Sequence, residues 1–162
     1  MGNRKKTIIF NGILFGFILG LSLLIAMPGT AALAGEIGAD VEKILQDIRQ
    51  DQPVPAVKYL KKAEPMNVDC TYYRGDYQGI EISVETHPNS QRVASILVQI
   101  PGPDRTKQVF AAVKRAIGPP RSSNPKRSEY GWEWPNYRTA SLHYAKGAGS
   151  GTGATVISLF YR

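Results

Sequence analysis

The chain has 162 residues, a single cysteine and a formal charge of +7, with 43% hydrophobic and 20% charged residues. One sulfur cannot build an intrachain disulfide framework, and high apolar content at low charge density excludes a disordered chain, whose signature is the reverse. The length suits one ordinary domain.

Arg4, Lys5 and Lys6 precede an apolar run from Thr7 to Ala26, which Met27, Pro28 and Gly29 close. A basic segment, an apolar segment and then Ala32-Leu33-Ala34, the small-x-small pattern of a peptidase site, predict a signal peptide over 1–34 cut between Ala34 and Gly35. Cleavage would send a mature domain, 35–162, to a bacterial periplasm or outside the cell. Left uncut, residues 7–26 would anchor it in the inner membrane as an accessory subunit, since twenty residues at about 1.5 Å each span a core of about 30 Å. A lipoprotein is excluded, because its cysteine must follow the apolar run and the only one is Cys70.

Beyond the leader the charge is uneven. Residues 35–100 hold ten acids and seven bases, and 101–162 hold three acids and ten bases. Arg105, Lys107, Lys114, Arg115, Arg121, Lys126 and Arg127 follow one another with no acid between them, a positive field that attracts an anionic partner.

In chain order, Asp40 is expected to cap a helix whose stripe is Val41, Ile44, Leu45 and Ile48, ended by Pro53 and Pro55. Pro55 suits the start of a second short helix over 56–62. Strands are predicted over 68–73, 79–85 and 92–100, the last with Ala94, Ile96, Val98 and Ile100 on one face, with turns at Arg74-Gly75-Asp76 and His87 to Ser90. A helix then runs from Pro103-Asp104 to Ile117, stopped by Gly118-Pro119-Pro120. Strands over 130–134, 138–145 and 154–161 complete an α+β domain: a helix pair, an antiparallel meander covered on one face, and a possible duplication of a helix-plus-three-strand unit with halves 35–100 and 101–162.

Few motifs carry chemistry. The run Gly147 to Gly153 lacks the Lys-Ser/Thr ending of a phosphate loop and precedes a strand, so it reads as a hairpin loop. Cys70, His87 and His143 are too scattered for a zinc site, and Cys70 alternates with Val68 and Tyr72 as a small buried hydrophobe would. No cofactor and no metal are expected. Ser141 and His143 share a strand face, the basis of an alternative reading as a small hydrolase, although no third member is evident. Glu81 and Glu85 read as a solvated strand face.

Tyr130, Trp132 and Trp134 project together from one strand, and three rings in a row either fill a core or make a recognition surface. Trp132 and Trp134, with Tyr137, Arg138, Arg121, Lys126 and Arg127, are the expected binding residues, a basic-rimmed aromatic patch. Single-stranded nucleic acid is recognised by such patches, but export argues against it.

The segment Val113-Lys114-Arg115-Ala116-Ile117-Gly118-Pro119-Pro120, followed by Trp132-Glu133-Trp134 and a closing strand pair, resembles the small envelope modules of the SmpA/OmlA family and of β-lactamase-inhibitor-like proteins. The resemblance covers about the last sixty residues. It implies two short helices on an antiparallel sheet and a role in binding proteins rather than in catalysis. The missing lipidation cysteine means that outer-membrane tethering does not carry over. The expected function is a non-enzymatic envelope protein that recognises a protein or an anionic envelope polymer.

Overall fold

The computed structural model describes residues 29–147 and 151–161. The signal peptide expected over 1–34 lies mostly outside them. The first helix, α1 (Gly29–Asp47), buries Val41, Ile44, Leu45 and, just past its end, Ile48, the stripe that the spacing predicts. It starts upstream of Asp40, which therefore lies mid-helix and is not the cap. The Ala34–Gly35 bond falls inside α1, and a cut there would leave the buried stripe intact. Among the described residues no helix is long and apolar enough to cross a membrane.

The second short helix does not form. Pro53 and Pro55 hold the chain extended, and 51–54 is bonded to 91–93 through Asp51 N–H to Val93 O (2.9 Å), Val93 N–H to Gln52 O (2.9 Å) and Val54 N–H to Gln91 O (3.1 Å). Leu60–Ala63 then becomes β1. It pairs with β2 (Tyr72–Tyr77), where Gly75 faces the crossing chain so closely that a Cβ would fall 2.2 Å from Tyr59 O. Arg74-Gly75-Asp76 is thus strand, not turn. The turn comes later, at Gln78 (φ 54°) and Gly79 (φ 77°), a two-residue hairpin with positive φ at both positions, as the strand twist favours. The strand expected from Val68 starts only at Tyr72, because Asn67 Oδ1 accepts the Asp69 and Cys70 amides and curls the chain, leaving Val68 98% exposed.

β3 (Ile80–Thr86) and β4 (Val93–Pro101) form as expected, joined through the His87 to Ser90 turn. Ile80, Ile82 and Val84 are buried in β3, with Ile96, Val98 and Ile100 in β4. A bulge opposite Glu85 and Thr86 shifts the register, so Val93 rather than Ala94 takes the last core position.

α2 (Thr106–Ile117) buries Val109, Ala112 and Val113 and stops at Gly118 (φ 90°), whose amide bonds to Lys114 O. A short strand that the sequence did not announce, β5 (Ser122–Asn124), precedes β6 (Glu129–Glu133), β7 (Arg138–Ala145) and β8 (Ala154–Tyr161). All neighbours are antiparallel, in one sheet ordered β1-β2-β3-β4-β8-β7-β6-β5.

Both helices lie on one face of this sheet and share its core with Trp132, Leu142, Ile157 and Leu159. Gly38 lies against Gln108 and Ala112, and Glu42 pairs with Arg115, so the helices run in the same direction and end together.

Candidate functional site

Registers divide the sheet into two faces. Tyr130, Trp132, Ala140, Leu142, Ile157 and Leu159 alternate toward the helices; Gly131, Thr139, Ser141, His143, Ser158 and Phe160 alternate away from them. The aromatic ladder is therefore on the inner side. Tyr130 stacks on Phe110 of α2 with centroids 4.2 Å apart. Trp132 is only 2% exposed and donates Nε1–H to Gly118 O at 2.8 Å, satisfying a carbonyl at the end of α2. Its expected place in a binding surface is corrected: the core needed a large side chain at the one position where an indole also finds an acceptor. Trp134 is half-buried, with the Arg138 guanidinium 5.3 Å from its ring centre.

The remaining residues of the expected patch separate. Lys126 and Arg127 sit in the turn between β5 and β6, with Arg127 3.5 Å from Glu129, and Arg121 bonds through its amide to Gly131 O. Trp134, Tyr137 and Arg138 lie at the opposite end of β6, where Tyr137 (φ 61°) is 77% exposed at the tip of the next turn. Strand direction, not proximity in sequence, sets them apart.

The face away from the helices carries mixed chemistry. Across β2 to β4 it forms a shallow concavity of about 600 Å³, in which Glu85 accepts the Tyr72 hydroxyl at 2.8 Å and the Ser95 hydroxyl at 3.3 Å. The carboxylate of Glu85 pushes the Tyr72 phenol up to about 12. Across β5 to β7 a second hollow, about 410 Å³, includes Ser122, Ser141 and His143. Ser141 Oγ lies 3.3 Å from His143 Nδ1 and 2.9 Å from Ser158 Oγ, so the strand pairing does unite the two residues of the hydrolase alternative. Among the described residues no carboxylate hydrogen-bonds to His143.

A polar cluster lies at the other end of the central strands. Asp51, in a left-handed conformation (φ 63°), places Oδ1 3.1 Å from His87 Nε2, accepts the Tyr161 hydroxyl on Oδ2 and faces Arg138 at 3.7 Å. The Tyr161 hydroxyl, then His87 and Arg138, hold the Asp51 carboxyl below its ordinary value against the opposing effect of burial. Cys70 is buried, with its thiol pushed up by burial and then by Glu85, which disfavours the thiolate that nucleophilic chemistry needs. Among the described residues no three His, Cys, Asp or Glu side chains are grouped to hold a metal. The glycine run falls partly outside the described residues, at 148–150; β7 and β8 on either side of it pair antiparallel, and a strand rather than a helix follows it.

No family model matches the chain, and no curated protein or solved structure is significantly similar to it.

Proposed function

We propose that the chain is an exported, non-enzymatic binding module whose helix-free sheet face meets an envelope protein or an anionic envelope polymer. One observation carries the reading: both helices cover the same side of an eight-stranded sheet, and among the described residues no further layer covers the opposite face of alternating Ser, Thr, Gln, Glu, aromatic and aliphatic side chains. A sheet normally buries one face and solvates the other, but the exposed Phe160 and the half-buried Leu97 on the open side add apolar area suited to a partner. Arg121, Lys126 and Arg127 at the β5 edge give that face a basic margin, and Tyr137 adds an exposed ring.

Export rests on Arg4, Lys5 and Lys6, the apolar run and the Ala32-Leu33-Ala34 site, with the anchored form as the variant in which the leader stays. The palindromic strand order supports two units of one helix and four strands, joined through β4 and β8, one strand more per unit than the sequence suggested. The common direction of the helices restricts that relation to the strands, because a two-fold axis through the β4–β8 seam would oppose them.

Photocrosslinking residues at Phe160, Leu97 and Ser141, with one at Lys114 on the helix side as control, test the face. Adducts with one defined envelope component from the three sheet positions and not from Lys114 are expected. Adducts from Lys114 alone, or none from any position, overturn the reading. Charge reversal of Arg121, Lys126 and Arg127 to glutamate abolishes the adducts if the partner is anionic.

The 3.3 Å approach of Ser141 to His143 favours a hydrolase as the second reading. A fluorophosphonate that labels Ser141 in the native protein and not in His143→Ala would establish it.

A further inference from the structure

Where α1 and α2 end side by side over the sheet, a cavity of about 360 Å³ remains. That is room for about ten water molecules and falls within the range of small-molecule sites. Its floor is aliphatic: Leu45 and Ile48 from α1 and its end, Ala116 and Ile117 from α2, and Leu159 from β8. Its polar wall consists of Arg49, Gln50 and Arg138, so two guanidinium groups and no carboxylate line it.

Each polar group makes at least one contact to the fold. Arg49 Nε donates to Gln46 O at 3.1 Å, and Gln50 Nε2 donates to Ala94 O at 2.8 Å. Arg138 is held over the Trp134 ring, and its Nε is buried without an acceptor. The acid that pairs with Arg138 is Asp51, at 3.7 Å, and it is shared with His87 and Tyr161. The cavity therefore pairs a preorganised excess of positive charge with an apolar floor that offers no hydrogen bond.

We propose that this cavity binds a small monocarboxylate with an apolar body, the chain lying on the aliphatic floor and the carboxylate meeting Arg138 and Arg49. A planar guanidinium pairs with a carboxylate through two parallel N–H bonds, and stacking on an indole keeps that plane in place. A neutral ligand would add no acceptor for the Arg138 Nε–H, which has none in the fold, and a polymer would not fit the volume. The site is on the helix side, away from the open sheet face, and stands independently of the partner proposed for that face.

Trp134 lines the cavity, so its emission reports occupancy. Octanoate titrated into the protein should give a saturable change at about millimolar concentration or below, as expected for a ligand of this size, with 1-octanol binding about tenfold more weakly or worse. R138Q and R49Q should each weaken octanoate about tenfold or more while leaving octanol unchanged. A116F, which fills the floor, should weaken both ligands. Circular dichroism and melting establish that each variant is folded, and R49Q carries the charge test should R138Q not fold. No saturable response, equal affinity for octanol, or octanoate affinity unchanged in the folded arginine variants overturns the proposal.

Discussion

The carboxylate of Asp51 lies 3.1 Å from Nε2 of His87, 36 positions further along the chain, and the same carboxylate accepts the hydroxyl of Tyr161, 110 positions away. One residue after α1 thereby ties together the β3–β4 turn, the end of β8 and, through Arg138, the start of β7. The residue type suits the backbone as well, since Asp tolerates the left-handed region better than most side chains.

Acid should weaken this tie. The folded-state value of the Asp51 carboxyl is depressed, so its contribution is complete above the unfolded value near 3.9 and is lost as pH falls through the folded one. With the Asp51 side chain 44% exposed, solvent screening reduces the effect, and Asp51→Ala should cost about 1 kcal/mol at pH 7. Urea unfolding at pH 7 and pH 3 checks this: the gap between variant and native protein should narrow at the lower pH, and a constant gap would contradict the assignment.

Trp132→Phe should cost about 2–3 kcal/mol, because it removes buried volume and leaves Gly118 O without its 2.8 Å donor. Trp134→Phe, at a half-buried site where the indole makes no hydrogen bond among the described residues, should cost about 1 kcal/mol or less. Denaturant midpoints of the two variants decide the order, and a larger loss at Trp134 would sink it.

Gly75→Ala should be among the costliest single-methyl additions in the sheet, at about 1–3 kcal/mol, since the new Cβ would meet backbone, Tyr59 O, at 2.2 Å. Gly79→Ala meets no atom within 4 Å and is strained only through its φ of 77°, so about 1 kcal/mol is expected there. Thermal melts of the pair separate steric from conformational cost.

Much of the fold was legible because its signals were local. The alternation of Ile80, Ile82 and Val84, the helical spacing of Val109 and Val113, and the aromatic and β-branched stretches of β6 to β8 each state a period within a few residues. Failures arose where a distant partner decided. Residues 56–62 have helix-compatible spacing, but pairing with β2 claims Leu60–Ala63, and Gly75 reads as a turn until Tyr59 is seen passing over it. Ala94 loses its core position to Val93 through a bulge set by the facing strand.

The candidate site was less legible for the same reason. Ser141 beside His143 follows from strand period alone, whereas Ser158 joins them only through the β7–β8 register. The grouping of Trp132 with Lys126 and Arg127 failed because an antiparallel strand carries residues close in sequence to opposite ends, and because one face of β6 belongs to the core. Asp51, His87 and Tyr161 gave no warning of their meeting, since no pattern shorter than the whole fold links them.

The position of β8 bears on how the protein assembles. It follows every other described strand in the chain, yet it lies in the middle of the sheet, bonded to β4 on one side and β7 on the other. Until residues 154–161 emerge from the ribosome, two partial sheets expose unpaired edges that no other segment can join, so a single cooperative closure comes late. Shortening the chain before residue 154 should therefore abolish folding rather than trim an edge.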